Sequence, residues 1–153
     1  MDGERLAREA LTSGSALTLL VDERRSDVFQ PLIRDAGNAG VEVVYLSPAL
    51  LSRLSDAPSP QGVIAEASLP EQARPDSLGS RAVVLDGVQD PGNVGTIIRT
   101  LEAAGCTGVL TTETCADPYS MKAVRASMGS VLRVPVCVSR SASEVVGVWK
   151  TDG

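Results

Sequence analysis

The chain has 153 residues, 43% of them hydrophobic and only 3% aromatic, enough for one domain or two small ones packed by Val, Leu, Ile and Ala. No apolar run approaches the ~20 residues of a membrane span, and the charged opening MDGERLAREAL is no signal peptide, so a cytoplasmic protein is expected. Histidine is absent, which removes the usual general base and the commonest metal ligand, and the net charge of −5 excludes a global basic footprint for nucleic acid.

The charge is unevenly placed. Residues 1–76 hold 12 acidic and 7 basic side chains, whereas residues 77–153 hold 7 of each. An RNA site would therefore have to be a local basic patch, or be completed by other sequence. Cys106, Cys115 and Cys137 match no zinc or C-x-x-C spacing and read as reduced thiols, with no metal expected.

In chain order, Glu4 to Leu11 predicts a helix with Leu6, Ala7, Ala10 and Leu11 on one face. Leu17 to Val21 reads as a buried strand. Asp27 to Ala39 suits a helix with Pro31 in its first turn. Val41 to Leu46 is a β-branched strand, Pro48 to Leu54 a short helix, and Val63 to Ala67 a strand after the turn Ser59-Pro60-Gln61-Gly62. This first unit, residues 1–67, is a small α/β sandwich. Residues 68–80, SLPEQARPDSLGS, lack apolar periodicity and read as a linker.

In the second unit, residues 81–153, Ala82 to Asp86 is a strand. Asp90-Pro91-Gly92-Asn93 is a turn, with Asn93 as helix N-cap, feeding a helix to Ala104. Val109 and Leu110 centre a second strand, and Pro118 to Met128 forms a second helix ended by Gly129. Val134 to Val138 is a third strand, and Ser141 to Lys150 a third helix. Strands alternating with single helices imply parallel pairing. Three strands are few for a parallel layer, which predicts an incomplete domain whose last strand pair exposes apolar surface.

The stretch from Val84 to Thr100 is the most informative. Gly95 in the first helical turn costs up to ~1 kcal/mol relative to Ala, so something approaches its backbone closely, a packed neighbour or a ligand. Arg99 follows among Ile97, Ile98 and Leu101, with Glu102 at i+3 as its local acidic partner. Residue types alone leave open whether Arg99 merely reaches solvent.

Asp90, Pro91, Asn93, Gly95, Arg99 and Thr100 together resemble the first signature of the SpoU/TrmH branch of SPOUT methyltransferases, D-P-x-N-x-G-x-x-x-R-T. Asp117-Pro118-Tyr119-Ser120, Lys122, Arg125, Ser127 and Gly129 resemble a second family segment, with Lys122, Arg125 and Gly129 on one helical face. The opening helix resembles the family's G-x-x-L-V-x-E-A-L, and Pro60-Gln61-Gly62-Val63 its P-Q-G-V strand entry.

The resemblance implies an α/β protein: an N-terminal RNA-substrate-binding domain, then the parallel-sheet first half of a trefoil-knot methyltransferase domain. It implies methyl transfer from S-adenosylmethionine to a ribose 2′-hydroxyl of rRNA or tRNA, by a homodimer. Arg99 and Asn93 take the catalytic positions, and Lys122, Arg125 and Ser127 contact RNA. The family's G-N-E-G and S-L-N-V-S segments, which wrap the cofactor, do not occur here, so the cofactor-binding residues are expected outside this chain. The alternative is a non-catalytic RNA-binding or dimerisation module of the same descent.

Overall fold

The computed structural model of the chain describes residues 1–55, 57, 59–143 and 146. It forms two compact units that divide between Leu69 and Pro70.

In the first unit, α1 (Glu4–Thr12) buries Leu6, Ala7 and Ala10, the face its apolar spacing predicts. β1 (Ala16–Asp22) runs into a 3-10 turn over Glu23–Arg25, where the Asp22 side chain accepts from the Arg24 amide at 2.9 Å. That turn delays the next helix: α2 (Gln30–Asn38) begins later than Asp27, with Pro31 in its first turn and Leu32 and Ala36 buried. β2 (Glu42–Leu46), α3 (Pro48–Leu54) and β3 (Val63–Ala67) follow. The sheet has the order β2-β1-β3, with β2 parallel and β3 antiparallel to β1.

The second unit has β4 (Ala82–Leu85), α4 (Pro91–Ala103), β5 (Gly108–Thr112), α5 (Met121–Ser127) and β6 (Val136–Ser139). Its sheet is β4-β5-β6 and wholly parallel, with Val83 opposite Val109 and Leu110 opposite Cys137. All five residues of the central β5 are buried, as expected of a strand covered on both faces. The helix expected from Ser141 to Lys150 lies largely outside the described residues.

Residues expected to form a linker pack on this second unit. Leu78 is fully buried and forms a core cluster with Leu110 and Cys137. The Ala73 amide donates to the Val136 carbonyl at 2.9 Å, and the Gln72 side-chain amide to that of Val138 at 2.8 Å. The segment thus lies along β6. The last strand pair does not expose the apolar surface expected of it: Val136 and Cys137 are 1% and 3% exposed. A proline-rich stretch without periodicity can still dock through one leucine and two hydrogen bonds, which no local pattern announces.

Candidate functional site

The site is built where β4 and β5 hand over to α4 and α5. Asp90, not Asn93, is the N-cap of α4. Its Oδ1 accepts from the Asn93 amide at 2.9 Å, so Asn93 sits inside the first turn with an exposed side chain. Pro91 explains the shift: its missing N–H and fixed φ suit the first helical position, which leaves the preceding aspartate to cap. The other oxygen, Asp90 Oδ2, accepts from Lys122 Nζ at 2.7 Å. That hydrogen bond, followed by the one from Asn93, holds the Asp90 carboxyl below its ordinary pKa. One aspartate therefore caps α4 and ties it to α5.

Gly95 is a packing glycine. A Cβ there would collide with the Ala123 carbonyl oxygen and stand 2.8 Å from both Ala126 Cβ and the Ser127 amide nitrogen. The close approach read from the sequence is helix α5, not a ligand. The same contact corrects the expectation for Ser127. It is 0% exposed and its hydroxyl donates to the Val124 carbonyl at 2.8 Å, so it offers RNA no surface. Gly129 does not share a helical face with Lys122 and Arg125, because α5 ends at Ser127 and Gly129 adopts φ 88° beyond it.

Arg99 lies on the exposed side of α4, and its Nη1 donates to the Met128 thioether sulfur at 3.0 Å. Met128 caps α5 in the left-handed conformation, φ 53° and ψ 32°, which is uncommon for a residue with a side chain. The expected partner of Arg99, Glu102, is engaged elsewhere. Arg133 reaches it through Nε at 2.7 Å and Nη2 at 3.0 Å. Arg133 lowers the Glu102 carboxyl pKa, helped by a hydrogen bond from Ser130. Among the described residues no carboxylate pairs with Arg99.

Two further groups were not legible in the sequence. Thr112 Oγ1 accepts from the Gly87 amide at 3.2 Å and donates to Asp86 Oδ1 at 3.0 Å. The Cys115 thiol donates to the Leu85 carbonyl at 3.1 Å and accepts from the Val88 amide at 3.3 Å. Together with the Ala116 amide on the Val88 carbonyl at 2.9 Å, they clamp the loop before α4 to the loop before α5. The only hint was the run of Thr and Cys after β5, which reads equally as surface loop. The second group consists of buried polar atoms that have no partner: Thr111 Oγ1, the Tyr119 hydroxyl, and Nε and Nη2 of Arg125. Each neutral group of this kind costs roughly 1–3 kcal/mol, and a charged one more. Burial, with the Asp117 charge second, raises the Tyr119 pKa.

A pocket of about 280 Å³ opens at the carboxyl ends of β5 and β6, lined by Thr111, Thr112, Cys115, Pro118 and Val138 with Glu113 and Asp117. Among the described residues no cluster of three metal-ligating side chains occurs, and no helix is long and apolar enough to cross a membrane.

Parallel strands, single crossover helices and a polar cluster at the strands' carboxyl ends define an α/β domain of the SPOUT methyltransferase kind. The SpoU rRNA Methylase family matches residues 80–153, and the RNA 2′-O ribose methyltransferase substrate-binding family matches residues 3–73. The chain belongs to the SpoU family. It is 34% identical to the Bacillus subtilis 23S rRNA (guanosine(2553)-2′-O)-methyltransferase RlmP, covering 100% of this chain and 58% of that protein. It is 31% identical to the mitochondrial rRNA methyltransferase 3 of Xenopus laevis, covering 91% of this chain and 34% of that one. The SpoU methyltransferase AviRb from Streptomyces viridochromogenes, solved in complex with the cofactor AdoMet, superposes with a TM-score of 0.81 at 29% identity, over 99% of this chain and 59% of that one. The chain thus spans little more than half the length of these bacterial relatives.

Proposed function

We propose that this chain forms the substrate-binding domain and the first part of the catalytic domain of a cytoplasmic, homodimeric RNA 2′-O-methyltransferase. Its substrate is rRNA or tRNA, and S-adenosylmethionine supplies the methyl group as an electrophilic sulfonium. The observation that carries this reading is the state of Arg99: an exposed guanidinium beside the α4–α5 junction, restrained only by a thioether, with no carboxylate partner among the described residues.

The pocket at the carboxyl ends of β5 and β6 is small for a ligand of the methyl donor's size. The pocket of about 280 Å³ falls at or below the low end of ligand pockets, ~300–1,000 Å³. What this chain's own residues do is bind and orient. A guanidinium keeps its proton in proteins and is a poor general base. Arg99 is better used to grip an RNA phosphate through two parallel N–H bonds, fixing the ribose so that its 2′-hydroxyl faces the methyl in line. The hydroxyl proton then leaves to that phosphate or to water. Asn93, exposed in the first turn of α4, shapes the same surface, and Lys122 and Arg125 add positive charge on α5. The requirement for a 2′-hydroxyl selects RNA over DNA.

The decisive experiment is single-turnover methylation by Arg99→Ala in a form of the protein that carries the family's cofactor-binding segment. A phosphate clamp in a partly desolvated site contributes on the order of 2–4 kcal/mol, so the rate should fall roughly 30- to 1000-fold with fold and cofactor affinity retained. Arg99→Lys should fail nearly as badly, since an ammonium lacks the planar fork. Near-normal methylation by Arg99→Ala would return Arg99 to the status of a solvated helix residue. Absence of methylation by the unmodified protein would favour a non-catalytic RNA-binding or dimerisation module.

A further inference from the structure

Met128 falls between Ser127 and Gly129, two residues of the second signature, and is itself not one of them. Two features set it apart. Among the described residues it is the one residue other than glycine with a positive φ, 53°. A residue with a Cβ is strained there, and such strain persists where the surroundings impose it. The end of α5 does impose it: the Met128 amide donates to the Arg125 carbonyl at 3.0 Å, and the Gly129 amide to the Val124 carbonyl at 3.4 Å. Glycine would fit that turn without strain, so the turn asks for a left-handed residue and not for a methionine side chain. The second feature is what that side chain does. Its sulfur accepts from Arg99 Nη1 at 3.0 Å across the α4–α5 junction, the one hydrogen bond of the Arg99 guanidinium among the described residues.

A thioether acts on a guanidinium differently from a carboxylate. Arg133 shows the carboxylate case: Glu102 takes its Nε and Nη2 at 2.7 and 3.0 Å, so its charge is compensated and its fork occupied. Sulfur is a weak, uncharged acceptor. It restrains one end of the Arg99 guanidinium and leaves the charge intact. The Nε and Nη2 edge stays available for two phosphate oxygens, and an entering phosphate has no carboxylate to displace.

We propose that Met128 is a positioning residue for methyl transfer: its sulfur holds the Arg99 guanidinium in place from α5 without neutralising it. The proposal rests on the reading of Arg99 as a phosphate clamp and adds the device that keeps the clamp oriented. A long side chain that is already ordered loses less conformational freedom when it grips. A clamp that is held also fixes the ribose, and a displaced one would turn the 2′-hydroxyl out of line.

The test begins with nitrogen-15 relaxation of arginine Nε–H groups in the 153-residue chain, the Arg99 signal being assigned by its loss in Arg99→Lys. In the unmodified chain Arg99 should be clearly more ordered than the exposed Arg34. Met128→Leu keeps the apolar bulk and removes the acceptor; it should bring Arg99 down to the Arg34 value with the backbone amide spectrum unchanged. Met128→Gln, whose amide oxygen is again an acceptor, should restore the order. In a form that carries the family's cofactor-binding segment, Met128→Leu should slow single-turnover methylation at saturating RNA about tenfold. RNA affinity should hardly change, and Met128→Gln should recover the rate. Met128→Glu should keep Arg99 ordered yet weaken RNA binding, because a carboxylate competes with phosphate. The proposal is overturned if Arg99 is as mobile as Arg34 in the unmodified chain, a result that needs no variant to fold. It is equally overturned if Met128→Leu changes neither the order of Arg99 nor the rate, or if Met128→Gln restores neither. Normal methylation by Met128→Leu beside a defective Arg99→Ala sinks the role of Met128 alone. Normal methylation by Arg99→Ala sinks the clamp reading, with Arg99 still losing its order in Met128→Leu.

Discussion

The two units leave opposite kinds of group unaccommodated. Among the described residues, the large hydrophobic side chains left exposed all lie in the first unit: Leu17, Val28, Tyr45, Leu50, Leu54 and Leu69, each 49–67% exposed. The buried polar side-chain atoms without partners all lie in the second, on Thr111, Tyr119 and Arg125. The first unit has a mixed sheet whose strands keep one face near water. The second has a parallel sheet whose central strand is buried on both faces, and polar side chains at the strand ends and on α5 are drawn into places where water does not reach. Exposed apolar surface can be tolerated, because much of any protein surface is apolar. Buried unpaired donors carry a free-energy cost and persist where something else depends on them. The contrast teaches that the polar groups this fold leaves unsatisfied are concentrated in the second unit.

That comparison can be broken in four places. The largest effect is expected at Leu78, which belongs to the second unit only if residues 70–80 are part of its core. Leu78→Ala should destabilise that unit by about 2–5 kcal/mol, read by site-resolved hydrogen exchange. Exchange in Ala16–Asp22 should not change. A free linker would give no effect in either unit.

Gly95→Ala comes next. Helix propensity alone would favour alanine by about 1 kcal/mol. Overpacking against the Ala123 carbonyl and the Ser127 amide costs about 1–3 kcal/mol or more, because backbone atoms cannot rotate away. The net result should be a loss of stability in denaturant titration and loosening of α4 against α5. A stabilised variant would show that the two helices stand further apart than described.

Thr111→Val tests the unpartnered groups directly. Replacing a buried hydroxyl that bonds to nothing should raise stability by roughly 1 kcal/mol, seen as a higher denaturation midpoint with an unchanged slope. A loss instead would mean that the hydroxyl has a partner, and would weaken the contrast between the units.

The smallest effect concerns acid. The Lys122 hydrogen bond holds the Asp90 carboxyl below its ordinary pKa, and the Arg133 hydrogen bond does the same for Glu102. For a depressed carboxyl, the stabilisation is fully present above the unfolded-state value and is lost as pH falls through the folded-state value. The second unit should therefore weaken below the ordinary carboxylate range and not between neutrality and that range. Glu102→Gln should flatten that acid limb, measured by thermal unfolding as a function of pH. Both carboxylates are substantially exposed, so the effect is modest.

Much of the fold was legible in the residues themselves. The alternation of β-branched runs with helical spacing predicted the parallel β4-β5-β6 sheet, and the Asp-Pro-Gly-Asn turn located the start of α4. The six matched residue types from Asp90 to Thr100 carried the family. These signals are local: they depend on backbone sterics, turn chemistry and side-chain period over a few residues. The same local grammar misplaced the cap by three positions, because Asp90 and Asn93 are both good caps and Pro91 decides between them only once the helix is laid down.

What the tertiary structure alone decided is which partners those residues find. Glu102 sits at helical spacing from Arg99, yet bonds to Arg133, 31 residues away. Arg99 is restrained by a methionine that no charge pattern would nominate, Ser127 of the second signature is buried against α4, and two nitrogens of Arg125 are buried without a hydrogen-bond partner. The burial of Ser127 follows from the way Gly95 lets α4 and α5 approach. The strength of an ion pair or hydrogen bond depends on ångström distances and on shielding from water, and neither exists for these residues until the two helices have packed.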